Sequence, residues 1–250
     1  MFLKEAEMEE IIVDVLNVYD CHLKTEELTL TKSNESERYA QMVKQSEANA
    51  RVYGPIFSDL KDCPEVSLRQ IKERVRAHKK KLGWAIRFMQ SNGRRVRVDR
   101  DRFVKNSLIT WDKPGIEAAI DRLCISNVLP LGAVQDFSGF PEVPGYPWTL
   151  CLLHHYVEYV STTDGKFVIH GVSFASVKVS GLIVRKDTDE EWDWDLAFAR
   201  AAIEAGIKPD ADAVGKFLLG QRCIAGKSLA RQQHVAEKMT EITGGEGKRL

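Results

Sequence analysis

This chain of 250 residues lacks several features that would define a class of protein at once. It has no run of eighteen apolar residues, so no membrane-spanning helix and no membrane partner are predicted. Its acidic first ten residues have neither the positive nor the apolar region of a signal peptide, which favours a cytoplasmic or otherwise intracellular protein. Its five cysteines are widely spaced without a Cys-x-x-Cys pair, so neither a disulfide framework nor a structural zinc site is predicted.

The chain also has no net charge, because 36 Lys and Arg residues balance 36 Asp and Glu residues. This balance hides an uneven distribution. From Arg69 to Lys105 there are fourteen basic and three acidic side chains, a formal charge of +11, whereas residues 1–68 carry −7 and residues 106–250 carry −4. Such a segment attracts polyanions, and duplex DNA carries one phosphate charge per about 1.7 Å of its axis. Nucleic acid is therefore the favoured partner, although basic runs also occur on solvated faces and arms.

The first part of the basic region has the pattern of two short helices. Apolar residues recur at helical spacing from Val52 to Leu60 and stop before Pro64, so a first helix is predicted to end near residue 62. Ser67 is the predicted N-cap of a second helix from Leu68 to Val75, because small hydroxyl side chains accept hydrogen bonds from the first turn of a helix. The basic side chains of this helix lie away from its apolar stripe.

A third helix and a ribbon follow. The helix is predicted from about Lys79 to Ser91, and its aromatic residues Trp84 and Phe88 are interpreted as core residues rather than as platforms for unpaired bases. Directly after it, Arg and Val alternate from Arg94 to Arg100, which is typical of a short exposed strand or hairpin.

This order over residues 52–104 resembles the winged helix-turn-helix superfamily, as does the run Ser-Leu-Arg-Gln-Ile-Lys-Glu-Arg-Val that begins at Ser67. The resemblance implies a recognition helix whose first lysines and solvent-facing Arg87 approach the major groove, and a wing from Arg94 to Arg102 along the DNA backbone. Lysines would contact phosphates, and Arg87 or a wing arginine would read any bases. The implied nucleic-acid-binding residues are Arg69, Lys72, Arg76, Lys79, Lys80, Lys81, Arg87, Arg94, Arg95, Arg97, Arg100 and Arg102.

The whole chain is predicted to be an α+β protein that is mostly helical. Its expected parts are an N-terminal helical arm (1–51), a central winged-helix module (52–104), a C-terminal α/β interaction domain with a small sheet (105–242) and a flexible tail (243–250). Expected C-terminal helices are Pro114–Leu123, Trp148–Val160, Asp193–Ala205, Asp210–Arg222 and Ser228–Ile242. A loop is expected over Val128–Pro147, and two paired strands between Phe167 and Val184.

No catalytic residue, cofactor or metal is predicted, because the candidate patterns have simpler interpretations. The run from Gly220 to Ser228 ends like a phosphate-binding loop, but five residues separate its glycines where that motif needs four. His154 and His155 are adjacent on a predicted helix, so their side chains point about 100° apart and do not share a metal. The acidic run from Asp187 to Asp195 is interpreted as a solvated helix start.

We therefore expect a nucleic-acid-binding protein, with double-stranded DNA favoured over RNA, that acts as a regulator or as the DNA-engaging subunit of a larger nucleoprotein assembly. The N-terminal arm or the C-terminal domain would supply a protein partner or self-association. Two alternatives from other classes stay open. One is a protein–protein adaptor that uses the winged helix for assembly, and the other is a metal-dependent DNA-processing enzyme that uses the acidic run.

Overall fold

A computed structural model describes residues 47–91, 94–124, 127–162, 165–172, 177–186, 193–226 and 228–246. Most of the predicted N-terminal arm lies outside the described residues. The described part is α+β and mostly helical, as predicted, and it contains two three-stranded antiparallel sheets. None of its helices is both long and apolar enough to cross a membrane.

The basic region forms short helices against the first sheet. Residues 47–53 are helical, and a 3-10 helix follows at Pro55–Leu60. The next elements are β1 (Glu65–Ser67), α1 (Leu68–Ala77), α2 (Leu82–Ser91), β2 (Arg95–Arg97) and β3 (Arg102–Lys105). The strands are antiparallel in the order β1-β3-β2, so β3 lies in the middle of the sheet.

Helix α1 begins and ends with local hydrogen bonds. The Ser67 hydroxyl accepts from the Gln70 N–H, and the Gln70 side chain accepts from the Ser67 N–H at 2.8 Å, which confirms the predicted N-cap as a capping box. At the other end, Lys79 has φ +53° and the Lys80 N–H donates to the Val75 carbonyl at 2.9 Å. This Schellman motif ends α1 and keeps Lys79 out of the next helix, which begins three residues later than predicted.

The rest of the described chain adds the second sheet and five helices. They are α3 (Lys113–Leu123), β4 (Val128–Pro130), α4 (Leu150–His155), β5 (Phe167–His170), β6 (Leu182–Arg185), α5 (Trp194–Glu204), α6 (Ala211–Gly220) and α7 (Leu229–Glu246). Helix α4 continues as a π-helix at Tyr156–Ser161, and short 3-10 helices lie at Asn106–Leu108 and Leu131–Ala133. The sheet order is β4-β6-β5.

These elements agree with most of the C-terminal prediction. The paired strands are β5 and β6, and Asp210 caps α6 by accepting from the Ala213 N–H at 2.9 Å. Strand β4 was not predicted, because its three residues lie at the start of the proline-rich stretch that was interpreted as a loop. Helix α7 continues to Glu246, so residues 243–246 of the predicted tail are helical.

The first sheet is covered on both faces. On one face, Val66 and Phe103 pack in a core with the side chains of α1 and α2. On the other face, Val96, Val98 and Val104 share a second core with residues from beyond position 105, among them Leu152 of α4. The described residues form one compact unit by their contacts.

Candidate nucleic-acid interface and a buried polar cluster

Six cationic side chains occupy the outer face of α1 and the turn after it, and we call them the basic surface. They are Arg69, Lys72, Arg76, Lys79, Lys80 and Lys81. Leu68, Ile71 and Val75 of α1 are buried, which fixes the opposite face of the helix toward solvent. Five of the six cationic residues are exposed and Lys80 is half-buried.

Acids among the described residues neutralise four members of the basic surface, Arg69, Lys72, Arg76 and Lys79, only slightly. The Arg69 guanidinium lies 3.8 Å from the Glu73 carboxylate, but the two side chains are 86% and 67% exposed, so the pair has little binding strength in water. Lys72, Arg76 and Lys79 make no ion pair with any residue that the structure describes. These three side chains therefore keep their charges available to an external anion.

The predicted recognition helix α2 is covered on nearly every side. Its buried residues are Gly83, Ala85, Ile86, Phe88, Met89 and Gln90. The Phe88 ring stacks on Tyr53 and Phe57 with centroids 6.1 Å and 6.0 Å apart, which is the predicted core role. Because only Ser91 of this helix is exposed and three other residues are half-buried, α2 has no free face to insert into a DNA groove.

Arg87 was expected to face solvent, and that expectation is wrong. Its Nη1 lies 3.4 Å from Oε1 of Glu158 in the π-helix, and its side chain is 23% exposed. Glu158 is 71 residues further along the chain, so no local pattern marks the pair. Arg87 thus joins α2 to the C-terminal part of the chain.

The predicted wing is not an exposed ribbon. All three residues of β2 are buried, including Arg95 at 2% and Arg97 at 3% exposure, because the sheet has a core on each face. The Arg97 guanidinium donates to the carbonyls of Val177 and Arg100 at 2.9 Å and 3.0 Å. The alternation of Arg with Val predicted that one face of the strand is exposed to solvent. It could not indicate that residues distant in the sequence cover that face.

The remaining wing arginines are closer to solvent. Arg94 and Arg100 are exposed, whereas Arg102 is half-buried and donates from Nε to Asp99 at 2.5 Å. This ion pair raises the pKa of Arg102, and its charge is partly neutralised. Of the predicted site residues, the structure therefore brings together those of α1 and its turn, buries Arg95 and Arg97 and leaves Arg87 half-buried.

A buried polar cluster lies where α2 meets α4 and the π-helix. Its members are Arg87, Gln90, His154, His155, Glu158 and Tyr159. His154 Nδ1 lies 3.4 Å from Oε2 of Glu158, and the Gln90 amide nitrogen lies 3.2 Å from Nδ1 of His155. A cavity of about 30 Å³ beside the cluster is bordered by Arg97 and Lys178 as well.

Burial determines the protonation of this cluster. Loss of solvent lowers the pKa of His154 and of His155 to about 3, so both imidazoles are neutral at pH 7. The same cause raises the pKa of Glu158 to about 7, although the nearby Arg87 guanidinium opposes the shift. Shifted groups beside a cavity are typical of functional sites and also of structural ion-pair networks.

Sequence reasoning did not identify this cluster as a site. Adjacent histidines were judged only as metal ligands, and among the described residues no group of three or more His, Cys, Asp or Glu could hold a metal. The one available signal was a pair of histidines with a glutamate three and four residues away, on a segment that was correctly expected to be helical. The π-helical turn, which is often found at functional sites, had no signal in the sequence.

The part of the acidic run that the structure describes has structural roles. Residues 187–192 lie outside the described residues. Asp193 caps α5 by accepting from the Leu196 N–H at 2.7 Å, and Asp195 lies 3.6 Å from Arg231 of α7. The Arg231 guanidinium also lies over the Trp194 ring at 4.6 Å from its centroid. These contacts hold α5 and α7 together.

No family model, no curated protein and no solved structure matches this chain.

Proposed function

We propose that this protein binds nucleic acid, with double-stranded DNA as the favoured partner, through phosphate contacts made by the basic surface. The observation that carries the proposal is the exposure of five cationic side chains on one helix and the turn after it. Their charges lie in the segment that carries +11 within a chain whose net charge is zero. Such a surface gains affinity by releasing the counterions that are condensed on nucleic acid.

The order of the elements adds support. Helix, strand, α1, turn, α2 and the β2–β3 ribbon follow one another as in the winged helix-turn-helix resemblance, and the first strand completes a sheet with the ribbon. The covered α2 makes major-groove reading by that helix a poor explanation. We therefore propose contacts that position the protein on the phosphate backbone and read little sequence.

The proposed role in the cell is that of an intracellular regulator or of the DNA-engaging subunit of a nucleoprotein assembly. Contacts that read little base sequence favour the role of a subunit in a nucleoprotein assembly, because such an assembly can obtain its sequence specificity from another subunit. A partner protein or a second copy of the chain would then determine where the DNA is engaged.

A second candidate function is a protein–protein adaptor. The packing of α2 against α4 and the π-helix favours it, because the surface that a winged helix would present to DNA is already in contact with protein. Under this hypothesis the basic surface would contact an acidic protein rather than nucleic acid.

The deciding experiment replaces Lys72, Arg76 and Lys79 together by Gln. We expect duplex affinity at low salt to fall on the order of tenfold or more, and the slope of log K against log salt to lessen by about 0.9 for each phosphate that the variant no longer neutralises. Fluorescence anisotropy with a labelled random duplex measures both quantities. These residues are exposed, so folding should be unaffected.

A matched control replaces the exposed Lys166, Lys208 and Lys216, which lie outside the basic surface, by Gln. This control removes the same formal charge and should retain affinity within about twofold. Equal decreases in the two variants would mean that net charge alone attracts DNA, and the basic surface would not be the interface.

A further inference from the structure

A second and larger cavity, of about 180 Å³, is bordered by both members of the Gln90–His155 contact. The polar residues that border it include Gln90, Ser91, Arg94, Arg95, Asn106 and His155. Its volume is several times that of one water molecule, and an engineered cavity of about 150 Å³ accepts a benzene molecule. A small ligand therefore fits.

The charge of the cavity is of one sign. Among the described residues that border it, two are arginines and none is acidic. Arg94 is exposed, and within the described part of the chain its guanidinium has no hydrogen bond or ion pair. Arg95 is 2% exposed, and its Nη1 has no hydrogen-bond partner among the residues that the structure describes, although its Nη2 donates to two carbonyls. A buried N–H group without an acceptor is costly, and an anion would supply one.

The neutral polar groups suit an anion as well. The Asn106 side-chain amide can donate hydrogen bonds without adding charge, whereas the Ser91 hydroxyl already donates to the Arg87 carbonyl at 2.9 Å. Nδ1 of His155 accepts a hydrogen bond from the Gln90 side-chain amide, so the proton of the neutral imidazole lies on Nε2. Burial lowers the pKa of His155 to about 3, which keeps the ring neutral at pH 7. The positive charge of the cavity therefore comes from its two arginines.

We propose that this cavity binds a single phosphate-sized oxyanion, with Arg94 and Arg95 as its cationic ligands and with Asn106 as a neutral donor. Arg95 supplies a fixed guanidinium, because its Nη2 is held by the carbonyls of Leu60 and Cys63. Arg94 supplies an exposed guanidinium at the border of the cavity. Arginine is the usual residue for such recognition, because its planar guanidinium matches phosphate oxygens. The site does not require nucleic-acid binding by the basic surface.

The test uses inorganic phosphate as the probe and the full chain as the protein. Thermal unfolding is followed while phosphate replaces chloride, at constant ionic strength, up to about tenfold excess over its dissociation constant. We expect the unfolding temperature to rise by about 3–6 °C, since a ligand that binds only the folded state stabilises it. Phosphorus NMR line broadening gives an independent reading of the same binding.

Two variants and one control assign the binding to this cavity. Arg94→Gln removes the exposed cation, and Asn106→Asp places a negative charge beside the anion, so each should weaken phosphate binding about tenfold. Arg100→Gln removes an exposed cation of the same hairpin that does not border the cavity, and it should change nothing. If wild-type protein shows no phosphate effect, or if all three variants respond like wild type, the proposal is overturned.

The source of the phosphate is distinguished by competition. A duplex that displaces inorganic phosphate, and that binds Arg94→Gln more weakly, would identify the ligand as a backbone phosphate of nucleic acid. Phosphate binding that is unchanged by saturating duplex, or that persists when no duplex binds at all, would identify a free phosphate or a small phosphorylated molecule. Each result supports the cavity as an oxyanion site. If the protein binds no nucleic acid, the phosphate titration still tests this site independently.

Discussion

The buried guanidinium of Arg95 fastens the segment before β1 to strand β2. Its Nη2 donates to the Leu60 carbonyl at 2.5 Å and to the Cys63 carbonyl at 2.7 Å. The Leu60 carbonyl ends the 3-10 helix and the Cys63 carbonyl precedes β1, and Arg95 donates to both from more than thirty residues away. Burial lowers the pKa of Arg95, yet arginine keeps its charge at any ordinary pH. Charge-assisted bonds of this kind stabilise more than neutral ones do.

Replacement of Arg95 by Met tests this structural role. The variant removes the Arg95 donor from the Cys63 carbonyl and leaves the Leu60 carbonyl with the Cys63 N–H at 3.1 Å, so the free energy of unfolding should fall by about 1 to 3 kcal/mol. Urea unfolding measures the change. Arg100→Met, at an exposed position of the same hairpin, should stay within about 0.5 kcal/mol of wild type. Equal stabilities of the two variants would show that the Arg95 hydrogen bonds contribute nothing.

The contact of α2 with the π-helix brings Arg87 and Glu158 together in a site with little solvent. Burial raises the pKa of Glu158 from 4.5 to about 7, so the folded state holds this proton more tightly than the unfolded chain does. The stabilisation is fully present below pH 4.5 and is lost as the pH rises through 7. His154 and His155 act in the opposite direction, because burial lowers their pKa values to about 3.

Glu158→Gln isolates the contribution of the carboxyl group. The wild-type free energy of unfolding, relative to that of the variant, should fall on the order of 1–3 kcal/mol between about pH 4.5 and about pH 8. Urea unfolding at each pH gives the two curves, and the histidine contributions cancel in their difference. Glu237→Gln changes an exposed carboxyl group on α7 and should give a curve parallel to that of wild type. A parallel curve for Glu158→Gln would contradict the assigned shift.

The ends of the helices show what local sequence patterns can and cannot predict. The helix predicted over Asp193–Ala205 is followed by Gly206 at φ +67°, a conformation that glycine adopts without strain. Lys79 and Arg222 end α1 and α6 in the same left-handed conformation, at φ +53° each, and neither was predicted. In both cases the following N–H donates to a carbonyl in the last turn of the helix, at 2.9 Å and 2.8 Å. These hydrogen bonds offset the strain that a side chain introduces.

Across the whole molecule, local information was sufficient for the fold class, for most helices and for the β5–β6 pair. Local information could not predict contacts between residues that are distant in the sequence. The Arg87–Glu158 pair, the burial of Arg95 and Arg97, and the second core behind the first sheet all depend on residues far away in the chain. Charge density marked α1 and its turn correctly as exposed, because an unpaired cation is rarely buried there. Charge density could not show which arginines of the ribbon reach solvent.

The most direct test of nucleic-acid binding is the anisotropy of a labelled random duplex with wild-type protein across a salt series. Phosphate contacts by the basic surface predict binding at low salt and a log–log slope of several units, at about 0.9 per phosphate on duplex DNA and about 0.7 on a single strand. No binding to duplex, single strand or structured RNA at low salt would contradict nucleic-acid binding and leave the adaptor as the working hypothesis.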